Sequence, residues 1–119
     1  MTGCSVVYSQ IGKALDEKKR APELEQLYYK HAAEYLPKVI DADLAWSRFP
    51  NASSDMANVS QIIPVASMTM KIGREGLPGH SGEWRICAGT KEAEEALLTA
   101  IAISYDTICD YVNSQKGST

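Results

Sequence analysis

Few residues in this chain are of types that do chemistry. Histidine occurs twice, as His31 and His80, and cysteine three times, as Cys4, Cys87 and Cys109. The cysteines stand far apart, with no pair at the spacing of a metal clip or a redox motif, and read as free thiols of a reducing compartment. His31 recurs with Tyr28 and Tyr35 on the apolar-periodic side of a helical stretch, where an imidazole is expected to pack and has no role as a ligand. His80 is placed differently, in Pro78-Gly79-His80-Ser81-Gly82-Glu83-Trp84, a glycine-rich run where backbone can approach a ligand and a side chain can reach into a cleft. A metal site normally needs three or four ligands, and the chain has no His-x-Asp, no His-x-x-x-His and no Cys-x-x-Cys. Glu94 and Glu95 are adjacent acids, but they fall on the first turn of a helix, where the macrodipole accounts for them. Ser81 has no nucleophile-elbow sequence around it. Neither a complete metal site nor a catalytic triad can be assembled.

The elements that would position these residues follow from periodicity and punctuation. Ser5-Val6-Val7-Tyr8 reads as a short strand, leading past Gly12 into the charged connector Asp16-Glu17-Lys18-Lys19-Arg20. Pro22 suits a first helical position, and Leu24, Leu27, Tyr28, His31 and Tyr35 recur at helical spacing until Pro37 ends the pattern. Trp46 and Phe49 are expected to cover apolar surface from a loop or short strand. Ser53-Ser54-Asp55 supplies capping side chains for a short helix over Met56-Ala57-Asn58-Val59. Ser67 to Ile72 alternates polar and apolar, which predicts a strand with Met68, Met70 and Ile72 on one face. Gly73 to Gly89 is expected to be a long irregular loop. Thr90 then caps a long last helix that frays after Asn113, with Leu97, Ile101, Ile108 and Val112 on one face and Leu98, Ala102 and Ile103 widening it. Such a helix needs cover on more than one side, and the rest of the chain offers little.

The 119 residues, 45% hydrophobic and 23% charged, suit one globular domain with one modest core, which excludes a self-contained two-domain enzyme. A net charge of -3 gives no electrostatic footprint for nucleic acid or an anionic membrane. The N-terminus has neither a secretory signal nor a myristoylation signal, and no stretch is long enough to span a bilayer, so a cytoplasmic protein is expected.

Two segments carry a resemblance. Ala52-Ser53-Ser54-Asp55-Met56-Ala57-Asn58-Val59-Ser60, followed by Ile62-Ile63-Pro64, resembles the Gly-Ser-Thr-Asp-Met-Gly-Asn-Val-Ser segment of the peptidase and amidohydrolase family M-twenty, which includes aminoacylase, carboxypeptidase G and related dipeptidases. Pro78 to Trp84, then Ala88-Gly89-Thr90, resembles that family's later Gly-His-Thr-x-Glu-Phe segment and the start of its last helix. Thr2-Gly3-Cys4-Ser5-Val6 also looks like the strand by which the family's lid domain returns to the catalytic domain.

The resemblance implies an α/β chain: residues 1–12 as the end of a lid-domain strand, and 13–119 as the C-terminal part of a zinc-peptidase-like α/β/α catalytic domain. It implies hydrolysis of an amide or peptide bond at a two-metal centre, where metals polarise the carbonyl and activate water. His80 would be the one metal ligand present. Ser53, Ser54 and Asp55 would line the substrate cleft, although capping of the following helix explains them equally well. Glu83 and Trp84 would support the His80 loop by hydrogen bonding or packing. The family's histidine-aspartate pair, bridging aspartate and glutamate-glutamate base have no counterpart here, and Ala52 and Ala57 replace glycines. Zinc or another divalent ion would therefore bind only with a missing N-terminal portion. The expected substrate of the intact protein is a small peptide or N-acyl amino acid, and the expected partners are that missing portion or a second copy of the chain. The competing expectation is a non-catalytic interaction module or truncated remnant, docking through its broadly apolar last helix.

Overall fold

The computed structural model describes residues 3–40, 44 and 54–116; the expectations placed on Trp46, Phe49, Ala52 and Ser53 lie outside them. Helix α1 covers Pro22–Tyr35, with Pro22 at its start and Glu23 and Glu25 in the first turn, where the helix dipole favours negative charge. It stops because Leu36, which precedes Pro37, is extended at φ -120 and ψ 135. Helix α2, Met56–Ser60, follows a turn in which the Ser54 hydroxyl accepts from the Met56 N–H. Helix α3, Gly82–Cys87, lies inside the stretch expected to be irregular. Helix α4, Lys91–Lys116, begins where Thr90 Oγ1 accepts from the Ala93 N–H, and runs three residues past the expected fraying point at Asn113.

The expected α/β architecture is not found: among the described residues there are helices and no strand. Gly3 to Gly12 does not form a returning lid strand; it joins no ladder among the described residues, and Val6, Val7, Tyr8 and Ile11 are solvent-exposed. The segment 67–72 is instructive. Met68, Met70 and Ile72 are half-buried while Ser67, Thr69 and Lys71 are exposed, so the alternation in sequence does become a sidedness in space. What it lacks among the described residues is a strand partner, since a strand is defined by hydrogen bonds to another strand.

Helix α4 packs on α1. Ile103 and Thr107, one turn apart on α4, are fully buried, and the Thr107 hydroxyl donates to the Ile103 carbonyl oxygen at 2.7 Å, which disposes of its polar group within the helix. His31 and Ala32 are the buried residues of α1. Of the broad apolar face expected on α4, Ile103 is buried, but Leu97, Ile101, Ile108 and Val112 are not: together with Tyr105 they form a stripe between 44% and 67% exposed. At about 1.5 Å per residue this stripe is about 22 Å long.

Helix α2 is held by a strap, residues 14–19, through polar bonds. Asn58 Nδ2 donates to the Ala14 carbonyl at 3.3 Å and to Asp16 Oδ2 at 2.8 Å, the Gln61 amide donates to the Glu17 carbonyl, and the Lys19 N–H donates to Ser60 Oγ at 2.9 Å. Lys18 Nζ adds a bond to Ser67 Oγ at 2.9 Å. The charged stretch is solvent-exposed as expected of a connector, with only Lys18 half-buried, and it is in addition tied to α2 by these bonds. The radius of gyration is 18.6 Å, against about 13.5 Å for a compact domain of this length. The buried apolar residues are correspondingly few: Ala32, Ala57, Val65 and Ile103 among those described.

Candidate functional site

The loop carrying His80 is built from local bonds. Gly73 opens it under crowding: a Cβ there would stand 3.0 Å from Leu77 Cδ2 and 3.1 Å from Cys87 Sγ, so glycine lets the chain pass against α3. Gly76 then turns at φ 74. Ser81 closes the loop from both sides, its hydroxyl donating to the Pro78 carbonyl at 2.8 Å and accepting from the Trp84 N–H at 3.0 Å as the cap of α3. Arg74 reaches across with two parallel bonds, Nε to Glu83 Oε1 at 2.7 Å and Nη2 to Glu83 Oε2 at 2.8 Å. The hydrogen bond from Arg74 holds the Glu83 carboxyl below the ordinary carboxylate range, and Glu83 raises Arg74 in turn.

His80 sits exposed on this loop with φ 57, the one non-glycine in the left-handed region among the described residues. The Glu83 carboxylate bonds Arg74 and makes no hydrogen bond to His80, and Trp84 is 38% exposed. Ser54 donates to Asp55 Oδ1 at 3.3 Å, and Asp55 makes no side-chain cap bond to α2, so of the three residues expected to cap or line a cleft, Ser53 lies outside the described residues and of the other two only Ser54 bonds the helix start. No hydrogen bond or ion pair joins Ser54 or Asp55 to His80, Glu83 or Trp84. A cavity of about 280 Å³ between the start of α1 and Tyr111, lined by Pro22, Leu24 and Pro64, contains none of the expected site residues. Among the described residues no group of three His, Cys, Asp or Glu side chains is placed to hold a metal, so the residues present do not fit a two-metal centre.

A second polar constellation was not expected from the sequence. Tyr28, His31 and Tyr35 share one face of α1, and each meets α4: the Tyr28 hydroxyl donates to Ser104 Oγ at 3.3 Å, His31 Nε2 lies 3.0 Å from Asp110 Oδ2, and the Tyr35 hydroxyl donates to Asp106 Oδ2 at 2.6 Å. Lys30 Nζ donates to the same Asp110 oxygen at 2.8 Å. The Lys30 bond, followed by that from His31, lowers the Asp110 carboxyl, and the Asp106 bond raises the Tyr35 phenol. The available signal was the polar tip that tyrosine and histidine carry at positions otherwise counted as apolar.

Fold and site together define a helical chain with one docked helix pair, a strapped short helix and an ordered loop presenting a lone imidazole. Compared with known proteins, it matches no family model, no curated protein and no solved structure. Among the described residues no helix is long and apolar enough to cross a membrane.

Proposed function

We propose that this chain is the C-terminal portion of a metal-dependent amidohydrolase or dipeptidase of the M-twenty type, inactive alone, in which His80 supplies one metal ligand and sequence further upstream supplies the others. The observation that carries the reading is the backbone of His80. The left-handed region costs an L-residue about 1 kcal/mol, and glycine would occupy φ 57 without that strain, yet a histidine stands there on an exposed turn. Retention of strain under an imidazole, on a loop clamped by the Arg74 and Glu83 fork, is what a site that uses the side chain requires. The exposed stripe on α4 supports the same reading, because a chain that normally packs on a further portion leaves apolar surface bare without it. One imidazole cannot hold two metals, so no hydrolytic step is assigned to this chain by itself. The substrate class for the intact cytoplasmic protein is a small peptide or N-acyl amino acid.

The test is to extend the chain through its upstream reading frame and measure zinc content and dipeptide hydrolysis, alongside His80→Asn, which tolerates the left-handed backbone but loses the imidazole. A His-x-Asp and a Glu-Glu pair upstream, with metal and turnover lost in the variant, support the proposal. Unchanged metal content and turnover in His80→Asn sink it. The α4 stripe also favours a second reading, a non-catalytic interaction module; that reading prevails if the upstream frame lacks those motifs.

A further inference from the structure

We propose that the exposed face of α4 is the seat of a second copy of this chain, docked antiparallel across a two-fold axis that passes beside Tyr105. The face carries no charge along its length. Between Leu97 and Val112 the only charged residues are Asp106 and Asp110, and both are turned to α1, Asp106 bonding Tyr35 and Asp110 bonding Lys30 and His31. Ile103 and Thr107 are buried on that same inner side. What stands in water is Leu97, Leu98, Ile101, Tyr105, Ile108 and Val112, each between 44% and 67% exposed.

The order of these residues reads nearly the same from either end. Leu97 and Ile101 are four apart, as are Ile108 and Val112, so turning one helix end over end about a point between Ser104 and Tyr105 sets Leu97 against Val112 of the second copy and Ile101 against its Ile108, with the two Tyr105 rings meeting at the axis. The flanking charges choose the direction. Glu94 stands three residues before Leu97 and Lys116 four after Val112, and at about 3.6 residues per turn they fall about 20° and about 60° from the line of Ile101. An antiparallel copy brings each Glu94 to the other copy's Lys116 and sets the two helix dipoles head to tail, whereas a parallel copy sets Glu94 against Glu94 and Lys116 against Lys116.

The six side chains expose about 600 Å² on each copy. The pair therefore encloses about 1,200 Å², the lower bound of specific interfaces and more than chance contacts bury. A dissociation constant of about 10 μM follows for an interface of that size, and below that concentration the chain stands alone with its stripe bare. A two-fold contact is closed, so it yields a pair and no filament. The pairing uses neither His80 nor a metal, and it stands or falls apart from the hydrolase reading.

The experiment is sedimentation equilibrium of the whole chain from about 1 μM to about 1 mM, for the natural sequence, Ile101→Gln, Glu94→Lys, Lys116→Glu and the double charge exchange. Methyl spectra of a mixture of differently isotope-labelled natural copies accompany it and need no variant to fold. The expected result is a monomer–dimer equilibrium weakened about a hundredfold by Ile101→Gln, which keeps the helix and loses an apolar contact twice per dimer. Either single charge reversal should weaken it about tenfold, and the double exchange should restore it. The Leu97 methyls of one copy should meet the Val112 methyls of the other. A chain that stays single at about 1 mM, a dimer indifferent to Ile101→Gln, a double exchange no tighter than the single reversals, or Leu97 meeting the other copy's Leu97 overturns the proposal. So does association beyond the pair, or an upstream-extended chain that covers Leu97 and Ile101 with its own residues and remains single.

Discussion

Ile103→Ala discriminates which face of α4 holds the fold. Ile103 is fully buried and Ile101, two residues away, is 56% exposed, so the same substitution at the two positions asks the same chemistry of opposite faces. Truncating a buried isoleucine removes its transfer free energy and leaves a cavity, about 2–5 kcal/mol in well-packed cores. Here the buried apolar set is small and mostly alanine and valine, so the surroundings can collapse and the low end applies. About 2 kcal/mol corresponds to about a 30-fold loss in the folding equilibrium. Ile101→Ala removes little buried area and gains helix propensity, which places it within about 0.5 kcal/mol of no change. Urea denaturation followed by far-ultraviolet circular dichroism measures both. Equal losses at the two positions, or a larger loss for Ile101→Ala, would mean that α4 is rotated with its apolar stripe inward, and would refute the packing described above. If a covering portion is supplied, Ile101→Ala is expected to become costly as well.

Three further outcomes are expected. His80→Gly should tighten its loop by about 1 kcal/mol through relief of the left-handed strain, read as slower amide exchange at Gly79 to Ser81. Ser81→Ala should remove the cap of α3 at a cost of about 1 kcal/mol, detected as loss of protection at the Trp84 N–H without a change in α1 or α4. Arg74→Met should return the Glu83 carboxyl upward toward its ordinary range in a carbon-detected titration. Because Arg74 lowers that carboxyl in the folded chain, the fork's contribution is present above the ordinary carboxylate range and lost as pH falls through the lowered value; a Glu83 titration unmoved by the substitution would contradict the fork.

What was legible in the sequence was local. The ends of α1 are written in Pro22 and Pro37, and the start of α4 in Thr90, because helix hydrogen bonds and caps are made within four residues. Met68, Met70 and Ile72 were correctly placed on one side, since alternation is also local. Whether that segment becomes a strand depends on a neighbour that no pattern within six residues can specify, and the α/β expectation failed there. Helix α3 was hidden because six residues in a glycine-rich context show no period, although Ser81 as a capping residue with the acidic Glu83 in the first turn was a fair start signal. His80 stood out by its glycine-rich setting. The Tyr28, His31 and Tyr35 seam did not, because a residue's spacing reveals its face but not the polar atom waiting on the other helix.

The strap over α2 distributes mutational tolerance unevenly between its two sides. Asn58 and Gln61 read carbonyl oxygens of Ala14 and Glu17, and Ser60 reads the N–H of Lys19, so at those three positions the strap offers only what every amino acid carries. Ala14 and Glu17 can therefore drift almost freely in side chain, and Lys19 can become anything that keeps an N–H, which excludes proline. Asn58 and Ser60 of α2 and Gln61 just past its end enjoy no such latitude, since each must present its own amide or hydroxyl. Among variants of this chain, sequence diversity should accumulate at positions 14, 17 and 19 of the strap, but not at Asp16 and Lys18, whose side chains make bonds of their own, while the trace stays fixed, and the hydrophilic run that looks most expendable in composition would be the one whose path is least free to change.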